Sequence, residues 1–115
     1  MSTVLTGYQI HVGARNGTPN GDFTSGQSGT LRKILNNYKF AGYTIVDGVG
    51  FWTPDGTAEF WENTKIITLF IDESKDGKKL DNFIQQILAN FQQFAVGKVR
   101  LGPAAIVLPP SAPPV

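Results

Sequence analysis

The sequence predicts an α+β domain in which two helices cover one face of an antiparallel sheet. Three observations support this class. Several segments show the period of two that is typical of half-buried strands, and two segments place apolar residues at i, i+3, i+4 and i+7, as amphipathic helices do. The order of these segments along the 115 residues is β-α-β-β-α-β. That length suits a single domain, which we assign to residues 1–108, followed by a proline-rich tail at 109–115.

The first half of the chain contains a strand, a long loop and a helix. The strand is predicted at residues 8–12, where apolar and polar side chains alternate. A glycine-rich loop follows at residues 13–29, and ordered loops of this length are often functional. A helix capped by Ser28 is then predicted to end at Gly42, because glycine commonly follows the last turn of a helix.

The second half contains a hairpin, a helix and a last strand. Residues 53–56 have the Pro-Asp-Gly chemistry of a tight turn, and the polar residues 73–79 are interpreted as a connection. The tail favours extended polyproline II structure or disorder. The elements are predicted at residues 44–52 (strand), 58–72 (strand), 80–91 (helix) and 95–101 (strand), with room for a short fifth strand at 104–108. Their order is the ferredoxin-like plan.

The third strand is apolar on both of its sides. Ile67 and Leu69 point to one side, and Ile66 and Phe70 point to the other. A lone sheet with one wet face alternates more cleanly between apolar and polar residues. We therefore predict a homo-oligomer, a dimer or a trimer, in which another subunit covers the second face. The alternative is that the tail or the glycine-rich loop folds over it.

Composition argues against several classes of protein. The net charge of +1 does not supply the basic face that nucleic acid or an anionic membrane requires. The absence of cysteine excludes thiol catalysis and Cys-ligated zinc. The N-terminus lacks the features of a signal peptide, and no apolar run approaches the roughly 18 residues of a membrane helix. The prediction is a cytoplasmic protein with no nucleic acid, membrane, metal or cofactor as a partner.

The entry to the first helix is the first candidate binding site. Ser28 and Thr30 stand beside glycines and ahead of Arg32, and Arg15 lies in the preceding loop. Hydroxyl groups, free backbone N–H groups and the positive end of a helix are what an anion requires. The Gly-Lys-Ser/Thr ending of a P-loop is missing. The alternative is an ordinary capped helix start with solvated charges.

The central hairpin is the second candidate site. It contains Trp52 and Glu62, which could bind a polar ligand beside an aromatic face. A period of two puts Glu59 and Glu62 on opposite faces, so the two glutamates are not expected to form a catalytic pair. The alternative places tryptophan in the core and pairs a glutamate with Lys65 or Arg100.

Three other patterns give weaker indications of a functional site. His11 is the only histidine, and a metal site requires several ligands. The acids at residues 72–76 begin like a calcium loop, but the twelfth position is Phe83 and not the glutamate that such a loop requires, so a helix entry is the better interpretation. The Pro-Ser-Ala-Pro segment at residues 110–113 resembles a short sorting peptide that is common by chance.

The middle of the chain resembles a family of small bacterial proteins that is known only as a domain of unknown function. The likeness covers residues 8–101. No activity follows from it, and the secretion or lipoprotein signals that its members often carry have no counterpart here. The matching segments are Gly42-x-Thr44, Asp47-Gly48-x-Gly50-x-Trp52, Glu62-x-x-Lys65 and Phe91-x-Gln93-x-Ala95-Val96.

More loosely, the order of the elements is similar to that of the trimeric PII-like signalling proteins. That resemblance implies nucleotides or other small ligands bound in clefts between subunits. The PII-type effector loop between the second and third strands is missing here, because the long loop follows the first strand.

The sequence is compatible with three different functions. The preferred one is a non-catalytic oligomer that binds a small, anionic or nucleotide-like ligand through the residues Arg15, Ser28, Thr30, Arg32, Trp52 and Glu62. The second is a metal-free enzyme of the dimeric α+β barrel type, acting on an aromatic or carbonyl substrate with His11, Trp52 and Trp61. The third is a structural or interaction module encoded by a phage or mobile element. A pocket at a subunit boundary would favour binding.

Overall fold

A computed structural model describes residues 4–14, 23, 25–53, 60–91, 96–107 and 109–110 of the chain. It has the predicted β-α-β-β-α-β order, and this prediction is confirmed. The proline-rich tail after residue 110 and most of the glycine-rich loop lie outside the described residues. The elements are β1 (Leu5–Gly13), α1 (Ser25–Tyr38), β2 (Gly42–Trp52), β3 (Phe60–Ile71), α2 (Glu73–Asn90) and β4 (Gly97–Ala104).

The strands form one antiparallel sheet in the order β2-β3-β1-β4. β3 lies between β2 and β1 and pairs with β1 from Thr6 opposite Ile71 to Gly13 opposite Thr64. Ala14 continues this pairing by one step, donating its N–H to the carbonyl of Asn63 at 2.8 Å. Within the described residues β3 therefore loses β1 as a neighbour beyond this point.

One face of the sheet packs against both helices and forms the core. The period of two in β1 and β3 supplies three core side chains from each strand, and the period of 3.6 supplies the helix side chains that meet them. Burying this much apolar surface is the main stabilising contribution to the fold. The core residues are Tyr8, Ile10, Val12, Leu31, Ile34, Leu35, Ile67, Leu69, Ile71, Leu80, Phe83, Ile87 and Phe91.

α2 begins two turns earlier than the sequence predicts. Residues 73–79, interpreted as a connection, belong to the helix. Asp72 caps it by accepting a hydrogen bond from the N–H of Ser74 at 3.0 Å. The bond from the Ser74 hydroxyl, followed by this N–H, lowers the pKa of the Asp72 carboxyl. Glu73 and Asp76 in the first turn complement the positive end of the helix dipole. The prediction that these acids mark a helix entry is therefore confirmed, and the prediction that residues 73–79 form a connection is wrong.

The bounds of α1 and of the last strand also differ from the predictions. Ser28 lies inside α1, which begins at Ser25, so it is not the cap. The chain leaves α1 at Lys39, whose φ of 54° is left-handed, and Gly42 already begins β2. β4 extends to Ala104, and residues 105–107 are not a strand, so the fifth strand is wrong over this described range.

A polar clasp fastens the edge of β4 to the start of α2. The Glu73 carboxylate accepts hydrogen bonds from Arg100 at 2.8 and 3.0 Å, from Thr6 at 3.0 Å and from the hydroxyl of Tyr8. The Arg100 guanidinium, followed by the Tyr8 and Thr6 hydroxyls, lowers the pKa of Glu73 to about 2. The bond to Glu73, and then burial, raises the pKa of the Tyr8 phenol. Arg100 is therefore occupied by Glu73 and does not pair with Glu62.

The other face of the sheet, the open face, carries no helix. Val46 of β2, Val99 and Leu101 of β4 are about half exposed there, and Ile66 and Phe70 of β3 are partly buried between them. Large contiguous apolar patches usually mark binding or association surfaces. The two-sided apolar character predicted for β3 is confirmed in the structure.

Candidate functional site

A cavity of about 410 Å³ lies on the open face and is called the open-face cavity. Its apolar walls come from all four strands because the sheet order brings β4 next to β1 and β2 next to β3. Volumes of this size accommodate small organic ligands. The lining residues include His11, Val49, Phe51, Thr64, Ile66 and Val99.

His11 is a polar residue in the lining of this largely apolar cavity. Within the described residues its Nε2 atom is shielded from solvent and has no hydrogen-bond partner. Buried polar atoms are nearly always hydrogen-bonded, and an unsatisfied one costs about 1–3 kcal/mol. Gly97 lies opposite His11 on β4, and a Cβ there would lie 3.1 Å from the Cβ of His11. The ring of His11 thus has room because its neighbour has no side chain.

Glu62 is buried at the end of the same face, with 2% of its surface exposed. Its register partner on β2 is Gly50, and two residues along β3 is Thr64; both of these line the open-face cavity. A Cβ on Gly13 would lie 1.7 Å from Oε1 of Glu62. Because Gly13 has no side chain, the Glu62 carboxylate fits beside it, next to the cavity; we call this space at Gly13 the notch.

A second cavity, of about 400 Å³, lies on the opposite side of the sheet and is called the helix-side cavity. It is mainly polar. Lys65 of β3 enters it and forms an ion pair with Asp47 of β2, with Nζ 2.6 Å from Oδ1. The lining residues include Phe23, Ser28, Asp47, Asn63, Thr64 and Lys65.

The structure separates the site residues that the sequence groups together. Ser28 lines the helix-side cavity, whereas Glu62 is buried at the end of the open face. Thr30 and Arg32 are exposed and line neither cavity. Arg15 and the side chain of Trp52 lie outside the described residues.

For Trp61, the alternative interpretation of the hairpin is wrong. Trp61 is 55% exposed and stacks at a tilt on Phe51, with ring centroids 4.9 Å apart, so this tryptophan is not in the core. Among the described residues Lys65 pairs with Asp47, and the glutamate that pairs with Arg100 is Glu73. The period of two correctly places Glu62 on the face opposite Trp61.

The described residues contain neither a metal-binding cluster nor a membrane-spanning helix. Among them, no group of three or more His, Asp or Glu side chains could hold a metal ion. No helix in the described part of the chain is long and apolar enough to cross a membrane.

The fold is that of a ferredoxin-like α+β protein, with one open sheet face. Solved structures share it at low sequence identity. A phage SAM lyase in complex with S-methyl-5'-thioadenosine matches with a TM-score of 0.69 and 14% identity, over 94% of this chain and 92% of the lyase. CutA from Synechococcus elongatus PCC7942, complexed with Bis-Tris, matches with a TM-score of 0.56 and 11% identity, over 91% and 87% of the two chains. No family model matches the chain, and no curated protein matches it significantly.

Proposed function

We propose that this chain is a homo-oligomer that binds an adenosine thioether in the open-face cavity. The observation that carries the proposal is the buried Nε2 atom of His11, which has no hydrogen-bond partner among the described residues and belongs to a residue that lines a largely apolar cavity of about 410 Å³. A nucleobase edge would satisfy this nitrogen, and the aliphatic walls would cover the flat base and the sugar.

Similarity to the phage SAM lyase, whose structure contains S-methyl-5'-thioadenosine, supports this choice of ligand. The ligand is nucleotide-like, as the sequence predicts. It is neutral, however, because the described lining of the cavity is apolar apart from His11 and Thr64. The anionic ligand expected at the entry to α1 has no place in this cavity. A cytoplasmic location and an assembly of two or three copies belong to the same proposal.

Binding is tested by titrating the protein with S-methyl-5'-thioadenosine in a calorimeter. His11→Ala is expected to weaken binding about tenfold, since one hydrogen bond contributes about 1.4 kcal/mol. Gln9→Ala is the matched control, because Gln9 lies on the same face of β1 and does not line the cavity. The proposal fails if the unmodified protein shows no binding, or if the two variants bind equally well.

A second candidate function is cleavage of SAM, and the buried carboxylate of Glu62 favours it. Release of S-methyl-5'-thioadenosine requires the bond between the sulfonium sulfur and the γ-carbon of the amino acid to break, and the sulfur keeps the electron pair. A lyase adds no water, so the four-carbon fragment must either lose a proton to a base or close on its own carboxylate. Glu62 could attract the sulfonium charge or accept that proton, because attraction between charges is strong where water is excluded.

Cleavage is tested by incubating the protein with SAM and following S-methyl-5'-thioadenosine by chromatography against a protein-free blank. Glu62→Gln keeps the shape of the side chain and removes its charge, so the rate is expected to fall about a hundredfold. Asp81→Asn removes a surface carboxylate and is expected to change nothing. No release by the unmodified protein would reject catalysis and leave binding standing. An unchanged rate in Glu62→Gln would remove Glu62 from the reaction.

A further inference from the structure

The helix-side cavity is lined by a partly buried lysine and an exposed aspartate. The side chain of Lys65 is 13% exposed and that of Asp47 is 80% exposed, so most of the lysine stem is covered, whereas the ion pair at its end meets solvent. Nζ of Lys65 also lies 5.1 Å from the centroid of the Phe23 ring. An ion pair on a wet surface contributes little to stability. That pairing alone does not account for an ammonium placed within a cavity.

Hydrogen-bond donors in this cavity outnumber their partners. An ammonium has three N–H donors, and the Asp47 carboxylate is the one acceptor of Lys65 among the described residues. The side chains of Ser28 and Asn63 line the same cavity and form no hydrogen bond with any other described residue. Ser28 also lies in the first turn of α1, which has no acidic residue to balance its free N–H groups.

We propose that the helix-side cavity binds the α-amino acid group of a small ligand. The carboxylate accepts hydrogen bonds from Lys65, Ser28 and Asn63, and the ammonium pairs with Asp47. These two charges are attached to one carbon in an α-amino acid, which matches two protein charges that lie side by side. A plain anion would be repelled by Asp47 and a plain cation by Lys65, so the pair selects a zwitterion.

The ring of Phe23 indicates which side chain such a ligand carries. It lines the same cavity and offers an apolar face, which suits a flexible thioether or aliphatic chain. L-methionine is therefore the probe of choice. This site lies on the other side of the sheet from the proposed adenosine site, and neither proposal depends on the other.

The ligand is tested with three molecules that differ only in charge. L-methionine carries both groups, 4-(methylthio)butyrate lacks the ammonium, and 3-(methylthio)propylamine lacks the carboxylate. Calorimetric titration is expected to show binding of methionine, with each single-charge analogue binding about tenfold more weakly because one charge-assisted hydrogen bond is lost. The proposal is overturned if methionine does not bind, or if the butyrate binds as well as methionine and so reveals a simple anion site.

The residues are tested with variants at each charge. Lys65→Met is expected to weaken methionine about tenfold and to strengthen binding of the propylamine, because the repelling ammonium is gone, whereas Asp47→Asn should remove the preference for methionine over the butyrate. Lys98→Met is the matched control, since Lys98 is also a strand lysine paired with an aspartate and set over an aromatic ring, but it lies outside this cavity. Equal loss in Lys98→Met, or no loss in Lys65→Met, would overturn the assignment. Binding of S-methyl-5'-thioadenosine by the same variants reports separately on the adenosine site.

Discussion

Gly13→Ala is expected to destabilise the protein by about 3 kcal/mol, at the upper end of the usual cost of overpacking. The new Cβ would lie 1.7 Å from Oε1 of Glu62 and 2.4 Å from its carboxyl carbon. Because the glutamate is buried, its carboxylate can make room only by giving up the contacts that it forms now. Chemical denaturation of the two proteins measures the difference, and titration with S-methyl-5'-thioadenosine shows whether the cavity is disturbed.

A double-mutant cycle assigns this cost to a single contact. In a Glu62→Ala background the carboxylate is gone, so adding Gly13→Ala is expected to cost little, with a coupling energy of about 1–3 kcal/mol. Gly77→Ala is the control, since Gly77 lies within α2 and a Cβ there meets nothing within 4 Å. It should stabilise the helix by about 0.5–1 kcal/mol. If the two changes in the free energy of unfolding are additive, the cost of Gly13→Ala does not arise from contact with the Glu62 carboxylate.

The order of the elements could be predicted because buried side chains recur every second residue in a strand and about every 3.6 residues in a helix. The apolar period is absent where an element lies at the surface, and the prediction fails there. Residues 73–79 form the first two turns of α2 and lie mostly at the surface, so they carry no apolar stripe to mark a helix. The capping acid at Asp72 was the available signal. It correctly indicated a helix entry, although the apolar pattern predicted a helix that begins only at Leu80.

The sites were harder to predict because they depend on contacts between distant strands. Gly13 reads as the first residue of a flexible loop, and its role appears only once β1 is paired with β3 in register. The ion pair between Asp47 and Lys65 depends on register in the same way, because a turn confined to residues 53–56 would place Asp47 opposite Glu62, whereas the structure pairs it with Lys65. His11 was correctly placed on a strand, but its place in the lining of a cavity depends on the neighbouring β4.

Val99→Lys is expected to convert the proposed oligomer into a monomer. Val99 lies on the open face of the edge strand β4 and is 44% exposed, so a lysine can be solvated there in an isolated subunit. In an assembly that covers the open face, the same ammonium would be buried without a partner, which costs several kcal/mol. Native mass spectrometry measures the change in subunit number directly. The open-face cavity, which Val99 lines, should lose its ligand in parallel.

Val107→Lys is the matched control for this change. Val107 is 87% exposed, follows the end of β4 and is not part of the sheet, so an added charge there should leave the subunit number unchanged. The comparison decides what covers the two-sided strand that the sequence indicates. If Val99→Lys remains an oligomer, the subunits meet through another surface and the open face is free to bind ligand alone. If the unmodified protein is already a monomer, the second copy is ruled out, and a segment of the same chain becomes the remaining candidate to cover Ile66 and Phe70.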